Sequence, residues 1–414
     1  MRQLLTGSAG LLIAIMAVNA GNYGLNVLLA NTLDPAVFGD ASLMVTVLLI
    51  TGVLAATIQL ATSVAILKAP QRRDAQLGAV RLLTNRLGFL GSLLLVIASP
   101  FATSALQVES GWALLVMALG FPLHLQLAVE RGRLQGDLQL GQLAFTFVAE
   151  GVARVVATLL AVMLAPDVTT LALALNVGFV GGYWVCRPRL ARWSWLDLSN
   201  PAGHPPLGSV GVAVVAVTLV TNIDVIAAKG VLEPAAAGSF AALALGGRIV
   251  FFASWTLQQA LLPLVIATQS PLSCRVRRRL FLAGNALVCA FLVTVGWVWA
   301  ARWVDLGFGG KYSDVVALFG PYALGTGVIS FVAALAVLRS TDGDHTTARV
   351  LLAGSLVLTF AVVLGGDSLD AIVHARLVAV FALGVVVVGA RQLSERVPQR
   401  KLAACRSDME GVFS

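Results

Sequence analysis

The amino-acid sequence predicts an all-α polytopic membrane protein of about 12 transmembrane helices, arranged as two pseudo-symmetric six-helix lobes around a central cavity. Three observations support this fold class. The 414 residues are 58% apolar and only 12% charged, with a mean hydropathy of +0.89, whereas soluble domains carry about 25% charged residues. Twelve apolar runs are long enough to cross a bilayer. A motif from the first half of the chain also returns in the second half.

The twelve apolar runs define the predicted spans. Each holds about 18 or more residues, the length that a helix needs to cross the hydrocarbon core. The first run is polar on one side and lacks a clear cleavage site, so we expect a span there and not a cleaved signal peptide. The predicted spans cover 8–30, 41–67, 87–106, 111–129, 141–164, 169–186, 207–229, 237–268, 280–300, 315–338, 349–365 and 370–390.

The basic residues predict the orientation of these spans. If the N-terminus is cytoplasmic, the inner segments hold 22 of the 28 lysines and arginines, and the outer segments hold only Lys229, Arg302 and Lys311. Such a bias is typical of the positive-inside rule, so both termini are expected in the cytoplasm. The basic loops would then lie beside anionic lipid headgroups, and membrane lipids, not nucleic acids, are the expected partners.

The repeated motif predicts how the spans are grouped. LDPAVFG at 33–39 returns as LEPAAAG at 232–238, and TIQLA at 57–61 meets TLQQA at 256–260 at the same offset of 199. Two matches in one register indicate two halves of the same orientation, related by an axis along the membrane normal, with a cavity between them. The alternative is chance recurrence of a turn motif, because Pro and Gly favour turns anywhere.

The repeat also sets the predicted boundaries of the domains. An N-terminal six-helix lobe would cover 1–186 and a C-terminal six-helix lobe 207–390. A polar cytoplasmic linker would join them at 187–206, and a cytoplasmic tail would follow at 391–414.

Motifs of membrane enzymes and pumps are missing from the sequence. There is no Walker motif and no HExxH, and we expect neither an enzyme activity, a cofactor nor a metal site. The acidic turn DGDH at 342–345 has metal-capable atoms but is more typical of a solvated loop between arginines. His124 and His374 each stand alone in a span, and we interpret them as packing residues.

Two spans of the first half carry polar faces. Asn22, Tyr23 and Asn26 share one face of span one and indicate either hydrogen bonds between helices or the wall of a cavity. Glu150 and Arg154 lie one turn apart in span five, where they can form an ion pair. A structural salt bridge and a contact with substrate are both open interpretations.

The second half places charges deeper in the membrane. Arg248 lies about eleven residues from the outer end of span eight, where a charge costs about 2.5–3.5 kcal/mol, so it must face Glu150, Asp224, water or an anionic ligand. The spans hold one more arginine than carboxylate, which favours a phosphate-bearing substrate. Arg376, near the outer end of span twelve, is expected to snorkel outward. Asp224 is interpreted either as an ion-coupling group or as a helix-end salt bridge near Lys229.

Several of these residues resemble a known family. The stretches are similar to the polysaccharide biosynthesis (oligosaccharide flippase) proteins of the multidrug/oligosaccharidyl-lipid/polysaccharide exporter superfamily. They comprise Tyr23 and Asn26 with LDP at 33–35 and FG at 38–39; LQG at 134–136 with Glu150 and Arg154; and Asn222, Asp224, LEP at 232–234, Gly238, Gly247, Arg248 and Pro263.

The resemblance implies a secondary-type transporter without enzyme activity. Such a protein would flip a polyprenyl-diphosphate-linked oligosaccharide outward across the bacterial plasma (inner) membrane by alternating access, for cell-envelope polysaccharide biosynthesis. Its partners would be the lipid-linked glycan and a glycan polymerase or glycosyltransferases. Asp224 would couple an ion, and the expected substrate-binding residues are Arg248, Arg154, Glu150, Asn22, Tyr23, Asn26, Gln59 and Gln259.

Two other functions remain open at this point. An ion-coupled antiporter for drugs or organic cations belongs to the same superfamily, but its site should be acidic. A membrane glycan polymerase or acyltransferase would need a large catalytic loop, which the short predicted loops do not offer.

Overall fold

The computed structural model describes residues 2–68, 70–186, 209–266, 271–340, 344 and 346–394. The predicted linker at 187–206, most of the predicted tail and most of the DGDH turn lie outside the described residues. Within the described ranges, every regular element is a helix.

The N lobe consists of α1 (Arg2–Thr32), α2 (Pro35–Lys68), α3 (Arg73–Ala105), α4 (Trp112–Gly136), α5 (Leu140–Leu164) and α6 (Val168–Cys186). The C lobe consists of α7 (Ser209–Val231), α8 (Pro234–Ile266), α9 (Pro271–Val298), α10 (Ala300–Phe308), α11 (Val316–Ser340), α12 (Thr346–Leu364) and α13 (Leu369–Ser394). Twelve helical segments of the described chain, all except α10, have the length and hydropathy to cross a membrane, which confirms the predicted fold class.

The two lobes repeat the same helix packing. In the N lobe α1 packs on α5, α2 on α4, α3 on α4, α4 on α6 and α5 on α6. In the C lobe the corresponding pairs are α7 with α12, α8 with α11, α9 with α11, α11 with α13 and α12 with α13. The pseudo-symmetry indicated by the repeated motif is therefore present in the helix arrangement, and α2 and α8 pack together between the lobes.

Several helices begin earlier than the apolar runs predict. Pro35 and Pro234 open α2 and α8, where proline is favoured because the first helical N–H needs no partner and φ is already helical. The predicted starts at 41 and 237 are therefore too late. Likewise α3 begins at Arg73 and not at 87, because an apolar-run criterion does not detect a charged first turn.

The lobes join on the side that the sequence predicts to be the outer one. One apolar cluster contains buried residues from both lobes, including Leu29 and Phe38 of the N lobe and Leu232 and Phe240 of the C lobe. Clusters toward the predicted inner side draw their buried members from one lobe each. The structure is thus closed on the outer side, and we call the shared cluster the outer seal.

The outer connection between α9 and α11 is helical, which corrects the loop predicted at 301–314. Ala300, Val304 and Phe308 recur every fourth residue and are buried, so this segment forms α10 with one apolar face. A 3-10 turn follows over Gly309–Val315. Its Tyr312 packs edge-on against Phe38, with ring centroids 6.0 Å apart, and thereby extends the outer seal.

Polar contacts fasten the same outer segment to α1. Lys311 Nζ donates to the carbonyl oxygens of Asn31 (2.9 Å) and Leu33 (3.2 Å). The Asn31 amide donates to the Gly307 carbonyl at 2.5 Å. A cation at the C-terminal end of a helix is favourable because the last carbonyls lack partners. The segment therefore bridges the two lobes.

Candidate functional site

A cavity between α2 of the N lobe and the C lobe holds about 530 Å³ of non-atom space, open solvent included. α2 contributes an apolar wall with Leu49 and Val53, and α7, α8, α11 and α13 form the remaining walls. Arg248 and Arg376 are the charged members of the described lining. The polar neutral members are Thr218, Thr221, Asn222, Tyr322 and Thr326.

Arg376 is held by Asp224 at the back of this cavity. Their side chains are 1% and 0% exposed, and Arg376 Nε lies 2.5 Å from Asp224 Oδ2. The same oxygen accepts a bond from the Tyr322 hydroxyl at 2.9 Å, and Oδ1 accepts one from the Val225 amide. Arg376 also donates to Thr326 Oγ1 at 3.1 Å. The expectation that Arg376 snorkels outward is wrong, because a buried carboxylate binds it two turns inside α13.

These bonds bear on the two interpretations of Asp224. Both carboxylate oxygens of Asp224 accept hydrogen bonds from protein groups. One of these groups, the Arg376 guanidinium, is itself a cation. The geometry favours the ion-pair interpretation, with Arg376 as the partner in place of Lys229.

Lys229 instead forms a buried ion pair with the other lobe. Its Nζ lies 2.6 Å from Asp40 Oδ1, and the two side chains are 3% and 4% exposed. Asp40 Oδ2 accepts a further bond from the Glu109 amide at 2.8 Å. The pair links α7 to α2 near the outer seal.

Arg248 reaches from α8 to α2 without forming a salt bridge to a described carboxylate. Its Nη2 donates to Thr46 Oγ1 of α2 at 2.7 Å, and Thr46 in turn donates to the Ser42 carbonyl. Within the described chain, Thr46 is the only hydrogen-bond partner of this guanidinium, and Arg248 belongs to no salt bridge. A permanent charge therefore lines the cavity with no described carboxylate within salt-bridge distance.

The balance of buried charge agrees with the sign predicted from the sequence but involves other residues. The described residues that are buried include four carboxylates and five cations. They are Asp40, Glu130, Glu150 and Asp224, against Arg131, Arg154, Lys229, Arg248 and Arg376. The count leaves one positive charge over. Glu130 is bound by the less buried Arg81 and Arg133, so two buried cations lack a carboxylate of their own: one of the two arginines that share Glu150, and Arg248.

The predicted pair of Glu150 and Arg154 is part of a larger cluster inside the N lobe. Arg154 bonds Glu150 directly and also donates to Asn22 Oδ1 of α1 at 3.3 Å. On its other side Glu150 lies 2.7 Å from Arg131 Nη1. The sequence places Arg131 in an inner loop, which is wrong because α4 continues to Gly136. The members of this cluster lie outside the described lining of the cavity.

The remaining predicted substrate contacts are spread over the protein. Tyr23 packs against the outer seal, and Asn26 donates to the backbone carbonyl four residues earlier in α1. Gln59 donates to Gln135 at 2.9 Å within the N lobe. The side chain of Gln259 lies outside the described residues. Tyr23, Asn26 and Gln59 therefore do not meet Arg248 at one site.

His124 packs inside the N lobe, as expected. Its ring stacks on Phe179 with centroids 4.1 Å apart, and Nδ1 lies 3.3 Å from Thr51 Oγ1. Over the described part of the chain there is no group of three or more His, Cys, Asp or Glu placed to hold a metal ion.

Thr46, Tyr322 and Thr326 are site residues that sequence reasoning missed. Threonine is common in transmembrane helices, so Thr46 gives no distinctive signal. Tyr322 and Thr326 lie one turn apart on α11, and both bond the ion pair of Arg376. A tyrosine and a threonine at this spacing within an apolar span could have indicated a polar face.

Comparisons with known proteins identify the fold. No family model matches the chain, and no curated protein matches it by sequence. Among solved structures, an inward-facing multidrug resistance MATE transporter of the MOP superfamily aligns with a TM-score of 0.71 at 12% identity, over 94% of this chain and 98% of that chain. The lipid II flippase MurJ in an inward closed conformation aligns with a TM-score of 0.66 at 10% identity, over 92% and 87%.

A third solved structure is a MOP superfamily transporter from Pyrococcus furiosus, described as having a binding pocket of reverse polarity. It aligns with a TM-score of 0.56 at 13% identity, over 94% of this chain and 95% of that chain. Together these neighbours show that the chain has a MATE/MurJ-like fold.

Proposed function

We propose that this protein is a secondary transporter that moves a phosphate-bearing, lipid-linked glycan from the inner to the outer leaflet of a bacterial plasma membrane, for cell-envelope polysaccharide biosynthesis. The observation that supports this most directly is Arg248, a buried cation that lines the cavity and bonds only a neutral hydroxyl in the described chain. A guanidinium binds two oxygens of one phosphate in parallel, so a headgroup phosphate would supply the missing opposite charge.

The runner-up function is an ion-coupled antiporter for organic cations, because MATE transporters share the fold. A site for a cation needs an accessible negative charge. Asp224 is the carboxylate bonded to the lining of this cavity, and it is already bound by Arg376 and Tyr322. The charge of the described lining therefore favours an anionic substrate.

The proposed cycle needs no bond to be made or broken. With the outer seal closed, the headgroup enters the cavity from the inner side and its phosphate bonds Arg248, while the prenyl chain stays in the bilayer. Opening of the outer seal and closure of the inner side would then release the headgroup outward. A glycan polymerase or glycosyltransferases would use and supply the glycan.

The test is a lipid-translocation assay with the full-length chain in proteoliposomes. The probes are fluorescent prenyl-phosphate-linked and prenyl-diphosphate-linked sugars, and ethidium serves as an organic cation. Arg248→Gln should slow translocation at least tenfold and Arg248→Lys should restore it partly, because a point charge replaces a bidentate fork. The matched control is Arg302→Gln, which removes an exposed arginine on α10 and should leave the rate unchanged.

Two outcomes contradict the proposal. Full translocation by Arg248→Gln would remove the phosphate-binding role. Ethidium transport without translocation of either lipid would establish the antiporter instead.

A further inference from the structure

We infer that the cavity is matched to a headgroup with a single negative charge, a prenyl-phosphate-linked sugar, and not to the doubly charged diphosphate headgroup that the family resemblance implies. This inference rests on the proposed function and narrows its substrate class.

The first argument is the charge of the cavity itself. Of the two lining arginines, Arg376 forms a salt bridge with Asp224 at 2.5 Å, and Arg248 forms no salt bridge with a described carboxylate, so the two arginines and Asp224 together leave one positive charge. The other described lining residues are uncharged. A phosphodiester carries one negative charge and would balance Arg248, whereas a diphosphate diester carries two and would leave one uncompensated.

The second argument is that neighbouring charges are already engaged. Lys229 is bound by Asp40, and Arg131 and Arg154 share Glu150 inside the N lobe. Moving Lys229 into the cavity would leave Asp40 buried without its partner, which is strongly unfavourable, and Arg131 and Arg154 lie outside the described lining of the cavity. A second phosphate would therefore find no second unpaired cation in the described lining of the cavity.

The third argument comes from the pseudo-symmetry. At the repeat offset of 199, the counterpart of Arg248 is Leu49. Leu49 lines the same cavity from the opposite lobe. The fold thus offers two equivalent positions for a phosphate-binding arginine, and this chain uses one of them. A second phosphate would face an aliphatic side chain where symmetry could place a guanidinium.

The test compares two fluorescent lipids that differ only in the number of phosphates, with the same prenyl chain and the same sugar. The purified full-length chain is reconstituted in proteoliposomes, and the translocation rate of each lipid is measured separately. We expect the monophosphate lipid to move at least about tenfold faster. The free-energy cost of an uncompensated charge in a membrane-embedded cavity is larger than the free energy that corresponds to a tenfold change in rate.

Charge variants at the symmetric position sharpen the test. Leu49→Arg adds a second cation and should reduce or reverse the preference, whereas the neutral variant Leu49→Gln should keep it. The double variant Leu49→Arg with Arg248→Gln moves the single cation to the other lobe and should also retain the monophosphate preference. Thermal unfolding of each variant separates loss of folding from loss of transport.

Each result has a defined meaning. Equal rates for the two lipids, or faster movement of the diphosphate lipid by the unmodified chain, would overturn the inference and leave the proposed function standing. If neither lipid moves, the proposed function fails and this inference fails with it.

Discussion

Gly39 and Gly238 occupy equivalent positions of the repeated motif and pack against each other where the lobes meet. A Cβ added to Gly238 would lie 1.9 Å from the Pro35 carbonyl oxygen, and one added to Gly39 would lie 3.1 Å from the Gly238 amide nitrogen. Only glycine allows the first turns of α2 and α8 to touch by their backbones. The repeated sequence motif is therefore one of the contacts that hold the outer side closed.

Gly238→Ala should open the outer side, because the added methyl group meets backbone that cannot move aside locally. The measurement is the reactivity of a cysteine placed at Ala41, a buried residue of the outer seal, toward an impermeant thiol reagent in an otherwise cysteine-free chain. We expect a severalfold faster reaction in Gly238→Ala. The control is Gly307→Ala, where an added Cβ meets nothing within 4 Å; equal reactivity in both variants would refute the role of this contact.

The pair of Asp40 and Lys229 should behave as a buried unit in a double-mutant cycle. Asp40→Leu alone or Lys229→Met alone leaves an uncompensated buried charge, and each should lower the free energy of unfolding by about 3–5 kcal/mol. The double variant should recover most of that loss because both charges are removed together. Thermal unfolding of the four proteins measures the coupling, and strictly additive losses would contradict a direct ion pair.

Asp224→Asn should destabilise the protein without changing the ion dependence of transport, since it leaves Arg376 buried without its carboxylate. The observables are the thermal midpoint and the translocation rate as functions of pH and of sodium concentration. A lower midpoint with curves of unchanged shape is the expected result. An unchanged midpoint together with lost pH or sodium dependence would instead establish Asp224 as the coupling group.

The membrane orientation predicts which engineered cysteines react in intact cells. Ala235→Cys lies at an exposed position at the start of α8 and should react from outside. Ala36→Cys should react there more slowly, because that position is half-buried between the lobes. Asp74→Cys, whose wild-type side chain is 93% exposed, should react only after permeabilisation. The reverse pattern would invert the topology.

Stability should fall at acidic pH partly through Asp137, which lies between α4 and α5. Two bonds from Arg73, at 3.0 and 2.6 Å, hold the pKa of this carboxyl below its ordinary value. Because this pKa is lower in the folded than in the unfolded protein, the carboxylate stabilises the fold at pH values above its ordinary pKa. That stabilisation is lost as the pH falls below about 4. Asp137→Asn should cost about 1 kcal/mol at neutral pH, since Arg73 is partly exposed. It should also flatten the acid limb of a plot of thermal midpoint against pH; an unchanged limb would contradict this contribution.

The fold follows from the sequence because each span is encoded locally. Apolar runs give the helices, and the motif at Pro35 and Pro234 gives the symmetry, although helix ends were missed wherever a charged or proline-led turn precedes the apolar run. Site geometry could not be predicted in the same way. Arg376 and Asp224 form an ion pair although they are 152 residues apart in the sequence. No local sequence pattern indicates which buried cation pairs with which carboxylate. The sequence predicts Arg248 as a charge within a span, but its bond to Thr46 depends on how the lobes meet.

The outer seal has a consequence for the cell that contains this protein. A cleft that admits water from one side brings bulk solvent halfway through the bilayer, and a chain of hydrogen-bonded water across the rest would conduct protons. Phe38, Phe240 and Tyr312 occupy that remaining path, and a narrow apolar constriction is unfavourable for water. We therefore expect the aromatic contact between the lobes to block a continuous chain of water across the membrane.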